Sequence, residues 1–314
     1  MPAQRINRGM QGVLADLSRY FYFRRRLVLF LLLLPLLLWM GIIYCGSLFA
    51  LLLQSFFSVD DFSGVIDKTF TLKTYGDLLR QSANLDIIMR TVAMAASVTL
   101  ASVFIAFPIA YYIVYRASER AKPWLYLSVM LPLWSSYLVK VYAWKLLMAK
   151  EGIITWVVEQ LGLTWFLETV LAMPVIGGSS LSFSYLGMFL VFVYIWLPYM
   201  ILPIQAALER IPHNVLDASS DLGAGGSQTF RRIVLPLAFP GIVAGSIFTF
   251  SLTLGDYIIP GIIGDSSYFI GMAVYTHQGT AGNIPLAAAF SVVPIVIMSF
   301  YLAAAKRAGA FDAL

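Results

Sequence analysis

The sequence predicts an all-α integral membrane protein with six transmembrane helices. Apolar residues make up 60% of the 314 residues, whereas charged residues make up only 12%. A soluble domain carries about 25% charged residues to keep its surface in water, so most of this surface is expected to face lipid. Long charge-free runs recur along the chain, and each could supply one spanning helix. The basic residues fall mostly in the segments that join alternate runs, which orients the helices across the bilayer.

The charge-free runs define the predicted spans. A helix needs about 20 apolar residues to cross the hydrocarbon layer, because lipid cannot satisfy exposed backbone groups. The third run is unusual because it contains Lys140 and Lys145. The six predicted spans cover residues 27–53, 91–115, 123–148, 183–208, 233–255 and 284–305.

The first run is predicted to be a retained membrane anchor and not a cleavable signal peptide. Three arginines, Arg24 to Arg26, precede it, and the apolar stretch then continues without charge from Leu27 to Val59. A signal-peptide core is shorter, at about 7–15 residues. Residues 1–26 are therefore predicted to form a cytoplasmic N-terminal tail, and residues 27–314 a transmembrane domain.

One further apolar stretch, residues 152–176, is long enough to suggest a seventh span. It contains Glu159 and Glu168, and carboxylates are costly at the centre of a bilayer. We therefore expect an amphipathic helix that lies on the outer membrane surface.

The distribution of charge predicts which side each loop faces. Of the 21 basic residues, 14 precede the first span, follow the sixth, or lie between spans two and three or four and five. Ten of the 16 acidic residues fall in the other loops. Because cytoplasmic loops carry an excess of Lys and Arg, both termini are predicted to be cytoplasmic. The net charge of +5 thus reflects membrane orientation and favours no nucleic-acid partner.

The polar loop between spans four and five, residues 209–232, carries the most specific pattern in the chain. Ile211-Pro212 is predicted to open a first short helix, since proline is tolerated in a first helical turn. The glycine-rich stretch at 223–226 interrupts it, and a second short helix is predicted to follow. Each helix has one apolar and one polar face, so the pair is expected to lie along the inner membrane surface.

Residues 217–236, DASSDLGAGGSQTFRRIVLP, resemble the signature of the permease subunits of binding-protein-dependent ABC importers. That signature reads Glu-Ala-Ala, three residues, Gly, nine residues, Ile, one residue and Leu-Pro. The opening triplet differs here by Asp for Glu and Ser for Ala, and each change keeps the charge sign or the small size. The residues in register are Asp217, Ala218, Ser219, Gly223, Ile233, Leu235 and Pro236.

The resemblance implies a type I importer permease with a MetI-like fold, located in the inner membrane of a bacterium. It implies two ATP-binding subunits that use ATP and Mg²⁺, a second, different permease subunit and a periplasmic solute-binding protein. The loop 209–232 would couple the spans to an ATP-binding subunit, with Asp217 and Asp221 offering charge to it. Composition alone favours an interfacial helical hairpin without a partner. The chain is predicted to be no enzyme and to bind no cofactor, since it has no phosphate-binding loop.

Two further stretches, 131–154 and 254–264, resemble the spermidine/putrescine branch of this family. A polyamine needs carboxylates for its charge and aromatic faces for cation–π contact. Asp256 at the predicted outer end of span five is expected to supply the carboxylate, unless it only ends a helix. Lys140 opposes a cation unless it pairs with an acid such as Asp256 or extends to the interface. The predicted pathway residues are Asp256, Tyr257, Trp134, Tyr137, Tyr142 and Trp144, and the aromatic ones could instead be interfacial anchors.

Other function classes are weaker predictions. The same importer class could carry another solute, such as another cation, thiamine, iron or an anion. An ion-coupled secondary carrier would show inverted repeats and an acid near mid-membrane, and we see no convincing repeat. A metal centre is not predicted, because Cys45 is the single cysteine and His213 and His277, the two histidines, are far apart in sequence.

Overall fold

The computed structural model describes residues 25–60, 63–264 and 267–310. The chain divides into two units, residues 1–54 and residues 55–314, which are described separately. Most of the predicted N-terminal tail, residues 1–24, lies outside the described residues.

The described part of the first unit is helical throughout. Helix α1 (Arg25–Leu38) continues into a π-helical segment (Trp39–Cys45) and then into α2 (Gly46–Gln54). A π-helical segment adds a residue to the turn without ending the helix. The stretch Val28–Gln54 is long and apolar enough to cross a membrane.

The second unit begins with small elements. Strands β1 (Ser58–Val59) and β2 (Ile66–Asp67) pair antiparallel, with Ser58 opposite Asp67 and Val59 opposite Ile66. The remaining helices are α3 (Lys73–Arg80), α4 (Ser82–Tyr115), α5 (Lys122–Trp134), α6 (Tyr137–Leu147), α7 (Ile153–Gln160), α8 (Thr164–Leu171), α9 (Tyr185–Glu209), α10 (His213–Asp221), α11 (Gly226–Thr229), α12 (Leu235–Gly255), α13 (Ile258–Ile262), α14 (Ile270–Gly279) and α15 (Ile284–Arg307). A 3-10 turn precedes α9 (Leu181–Phe183), and a π-helical segment (Phe230–Val234) joins α11 to α12.

Five stretches of the described residues are long and apolar enough to cross a membrane, and four of them belong to the second unit. These four are Ser82–Tyr115, Tyr185–Glu209, Gly226–Gly255 and Ile284–Arg307. The helix of the predicted second span begins at Ser82 and not at residue 91, and its added turns include an ion pair between Asp86 and Arg90, one turn apart. The helix that contains the predicted fifth span begins at Gly226 and not at residue 233.

The predicted third span is not one continuous helix. Helices α5 and α6 occupy residues 122–147 but are separated at Ser135 and Ser136, whose backbone is extended. Lys140 Nζ donates a hydrogen bond to the Pro132 carbonyl oxygen (2.8 Å), and Ser135 Oγ donates to the same oxygen (3.0 Å). These donors satisfy the carbonyl group that the end of α5 leaves free. The prediction of an unbroken helix over 123–148 is therefore wrong, and the count of six spans stays a prediction.

The stretch 152–176 forms two helices of eight residues each, α7 and α8, and not the single helix that its composition predicts. Gly162 lies between them with φ of +68°, a left-handed conformation that favours glycine. Neither helix is long enough to cross a membrane.

The spans of the second unit pack closely through small residues. A Cβ atom on Gly241 of α12 would lie 2.5 Å from both the Pro203 carbonyl oxygen and the Ala207 Cβ of α9. One turn further along α12, a Cβ on Gly245 would lie 2.7 Å from the Met200 Sδ. Glycine is therefore what lets α9 and α12 approach each other, as is common between membrane helices.

We expect Gly241→Ala to destabilise the protein by about 1–3 kcal/mol, because the added methyl group meets a backbone carbonyl that cannot move alone. The measurement is the midpoint of thermal unfolding of the purified protein in detergent. Gly76→Ala is the matched control, since a Cβ on Gly76 of α3 contacts nothing within 4 Å. It should stabilise the helix by about 0.5–1 kcal/mol. A Gly241→Ala midpoint equal to or above the wild-type value would contradict the packing described.

Candidate functional site

One side of the predicted coupling loop packs against the spanning helices. Helix α10 begins after Pro212, and Ile211 just before it is buried (5% exposed). Leu216 on α10 packs against a buried cluster formed by α4, α9 and α12. Tyr115 at the end of α4 donates from its hydroxyl to the Leu208 carbonyl oxygen (3.0 Å), and its ring meets His213 edge-on (6.1 Å between centroids). One face of α10 is thus anchored to two spans.

The opposite face of α10 is free among the described residues. Asp217, Ala218 and Asp221 are exposed there. Leu222, which directly follows the helix and Asp221, is 88% exposed. Sequence reasoning missed Leu222, although its place between Asp221 and Gly223 at a helix end was a usable signal. Together these residues form a surface suited to a partner with a small apolar pocket and basic groups.

Ser219, a residue of the signature in the predicted coupling loop, lies on the side of α10 that faces the spans. It is buried (7% exposed), and its hydroxyl shares a hydrogen bond with the Thr229 hydroxyl (2.9 Å). The backbone N–H of Ala224 also donates to the Ser219 carbonyl oxygen (3.1 Å). Ser219 therefore ties α10 to the start of the fifth span.

Gly223 makes the turn that reverses the chain between α10 and α11. Its φ is +77°, so glycine is favoured for conformational reasons. A Cβ there would contact nothing within 4 Å, so packing does not require glycine. The requirement is backbone conformation alone.

The second short helix predicted in this loop is instead the beginning of the fifth span. Helix α11, the π-helical segment and α12 run on without interruption from Gly226 to Gly255. Ile233 is half-buried in this rod, whereas Leu235 and Pro236 are exposed. Phe230 packs edge-on against Phe107 of α4 (5.6 Å between centroids). The end of the signature is therefore part of the fifth span itself.

Asp256 follows the last residue of α12, at the opposite end of the fifth span from the coupling loop. It is 9% exposed. Its Oδ1 accepts hydrogen bonds from the backbone N–H groups of Ile258 (2.7 Å) and Ile259 (3.0 Å), and its Oδ2 accepts one from the Tyr137 hydroxyl. Asp256 therefore caps α13 and ties the fifth span to α6. All three bonds are accepted, which suits an ionised carboxylate because it has acceptors only.

The structure brings some of the predicted pathway aromatics together and leaves others apart. Tyr137 stacks on Trp196 of α9 (5.7 Å between centroids, 20° between planes). Trp144 contacts Tyr194 of α9 (5.0 Å). Trp134 and Tyr142 are 76% and 54% exposed and join neither pair.

Lys140 does not pair with Asp256, which was one of the two arrangements we considered. Its ammonium group is directed to the Pro132 carbonyl oxygen at the break between α5 and α6. Among the described residues, Asp256 therefore has no bond to Lys140.

Two cavities lie at this end of the fifth span, and Asp256 lines the smaller one. The smaller, about 280 Å³, is lined by Tyr137, Trp196, Ser251, Leu252, Gly255, Asp256, Tyr257 and Ile258. The larger, about 460 Å³, is lined by Gly255, Tyr257, Ile270, Gly271, Val274, Tyr275, Gln278, Ser291 and Pro294. Sequence reasoning missed Gly255 and Tyr275. Gly255 stands beside Asp256 in the sequence, but nothing in the sequence places Tyr275 near Tyr257.

Comparison with known proteins supports the resemblance to ABC importer permeases. The family described as binding-protein-dependent transport system inner membrane component matches residues 153–308. The inner membrane ABC transporter permease protein YdcU of Escherichia coli (strain K12) is 54% identical over 301 residues, which is 96% of each chain. The spermidine/putrescine transport system permease protein PotB of Salmonella typhimurium (strain SL1344) is 27% identical over 79% of this chain and 82% of its own length.

A solved structure shows the same fold. A chain of the bacterial alginate ABC transporter, crystallised with an alginate pentasaccharide-bound periplasmic protein, matches with a TM-score of 0.69 and 16% identity. The match covers 92% of this chain and 98% of that chain. The 54% identical relative and the family match together decide the assignment. This chain belongs to the binding-protein-dependent transport system inner membrane components, the multi-pass permeases of ABC transporters.

Proposed function

We propose that this chain forms half of the translocation pathway of an ATP-driven importer that carries a polyamine such as putrescine or spermidine. The solute is delivered by a periplasmic binding protein, and the other half of the pathway is a second, different permease. Both termini and α10 face the cytoplasm, and the pair α5–α6 completes six spans. ATP and Mg²⁺ are used by two separate ATP-binding subunits.

The free face of α10 supports the coupling part of the proposal. The face of α10 toward the spans is packed, whereas the other face is accessible at Asp217, Ala218, Asp221 and Leu222. The rod from Gly226 to Gly255 is about 45 Å long at 1.5 Å per residue, enough to cross the bilayer. A partner that moves α10 would therefore move the fifth span along its whole length.

The observation that carries the solute part is the buried Asp256 carboxylate beside aromatic faces. Cation–π contacts are worth about 0.5–2 kcal/mol each and are stronger where water is excluded. Tyr137 and Trp196 line the cavity that Asp256 also lines. The name of the PotB relative adds support, since it is a spermidine/putrescine permease.

The same importer class with a different solute is the second candidate. One observation favours it: both carboxylate oxygens of Asp256 already accept hydrogen bonds within the chain. Oδ1 already accepts two hydrogen bonds and Oδ2 one, so most of the acceptor capacity of the carboxylate is used within the chain. A panel of cationic, neutral and anionic solutes in an uptake assay separates the two candidates.

The coupling proposal predicts that a cysteine at an exposed position of α10 crosslinks to an ATP-binding subunit. Ala218→Cys in a Cys45→Ser background should give that adduct in native membranes with a short bifunctional thiol reagent, because residue 218 is exposed. The product is identified by mass spectrometry.

Ser219→Cys is the matched control, because residue 219 is buried only one position away. It should give at least tenfold less adduct. Absence of any ATP-binding protein from the Ala218→Cys product would reject the coupling role.

The solute proposal predicts that Asp256→Asn lowers polyamine uptake at low solute concentration by about tenfold, the effect of removing roughly 1.4 kcal/mol of attraction. Asparagine keeps an acceptor for the Ile258 and Ile259 N–H groups, so the cap of α13 is retained. Uptake of radiolabelled putrescine is measured in cells that carry the whole transporter.

Asp77→Asn is the control for charge removal alone, since Asp77 is exposed on α3 and lines neither cavity. Its uptake should equal that of the wild type. Equal uptake by Asp256→Asn and the wild type would rule out the carboxylate as part of the solute pathway.

A further inference from the structure

Gly255 is one of two residues shared by the two cavities at the end of the fifth span. It lines both, as does Tyr257. A Cβ built on Gly255 would contact nothing within 4 Å, and its φ lies outside the left-handed range. Neither packing nor backbone conformation therefore requires glycine at this position.

Gly271 shows the opposite case at the same end of the molecule. A Cβ there would lie 2.6 Å from the carbonyl oxygens of both Gly255 and Asp256. Glycine at 271 is needed for α14 to pack against the end of the fifth span. Glycine at 255 leaves open space instead, at a position that lines both cavities.

Aromatic pairs form the walls on both sides of Gly255. The smaller cavity has the stacked Tyr137 and Trp196. The larger has Tyr257 and Tyr275, which stack with their centroids 5.2 Å apart and their planes at 10°. Two ring pairs separated by a connecting gap suit an extended molecule with a cationic group at each end.

The charge of the cavities has one sign. Among the described lining residues of both cavities, Asp256 is the only carboxylate and no Lys, Arg or His is present. The Trp196 indole N–H is buried and has no acceptor among the described residues, so it can bind a water that accompanies a hydrated cation. Each cavity is near or within the roughly 300–1,000 Å³ of ordinary ligand sites.

We propose that the two cavities form one groove for an extended organic dication and that Gly255 limits the size of the solute that fits across it. The proposal rests on the proposed function and adds a specificity-determining position to it. A side chain at 255 would stand between the two aromatic pairs. It should exclude a long solute before a short one.

Substitution at 255 tests the size limit. Gly255→Ala should keep putrescine uptake within about twofold of wild type and reduce spermidine uptake at least fivefold, because the methyl group narrows the gap. Gly255→Leu should reduce uptake of both at least tenfold. Gly279→Leu is the matched control, since Gly279 also ends a helix, also has nothing within 4 Å of an added Cβ and lines neither cavity.

Amounts of each variant in the membrane and their thermal midpoints are compared first, so that loss of folding is recognised. Unchanged uptake of both solutes by a well-folded Gly255→Leu would overturn the proposal. So would equal loss in Gly279→Leu.

A labelling experiment tests the groove without relying on the solute. Gly255→Cys in a Cys45→Ser background is treated with a cationic and an anionic methanethiosulfonate reagent of similar size. We expect the cationic reagent to react about tenfold faster, because a cleft lined by one sign of charge concentrates the opposite ion. Adding Asp256→Asn should remove the preference, and Gly279→Cys should show none.

The labelling result separates the groove from the proposed function. Equal rates for the two reagents at Gly255→Cys would overturn the groove. A clear cation preference in a transporter that imports neither putrescine nor spermidine would keep the groove and reject the polyamine function.

Discussion

The close approach of α9 and α12 is the constraint on which the rest of the second unit depends. Lipid tails are as apolar as the side chains, so burial of apolar surface gives little attraction between membrane helices, and tight packing must hold them together. At Gly241 the packing leaves no room for a single methyl group, with Pro203 and Ala207 only 2.5 Å from where it would stand. The fourth and fifth spans therefore behave as one pair with a fixed contact.

This contact lies midway along the unbroken helix from Gly226 to Gly255, whose two ends make different contacts. At one end the Ser219–Thr229 hydrogen bond and the packing of Phe230 join it to α10 and α4. At the other end Asp256 joins it to Tyr137. Packed interiors switch between discrete arrangements more readily than they deform. Under the proposed coupling role, a movement of α10 would be transmitted through this helix to the proposed groove at its other end.

How much the sequence could predict depends on the range of the interactions involved. Long apolar runs and the turn at Gly223 are local properties, and both were predictable. The break at Ser135 and Ser136 was not, because Pro132 is tolerated in many membrane helices and only the bond from Lys140 shows where this one ends. The burial of Ser219 depends on Thr229, ten residues away across a turn. Ring pairs such as Tyr257 with Tyr275 join separate helices, which no spacing reveals.

The identity of residue 256 bears on what the groove does. A serine or asparagine would cap α13 nearly as well as aspartate, and either could bond the Tyr137 hydroxyl. An ionised carboxylate is far more costly to bury than a neutral group. The cap of α13 and the hydrogen bond to Tyr137 therefore do not by themselves explain why residue 256 is an acid. The described residues that line the two cavities include no Lys, Arg or His that could offset such a charge. Under the proposed function, the positive charge arrives with the solute.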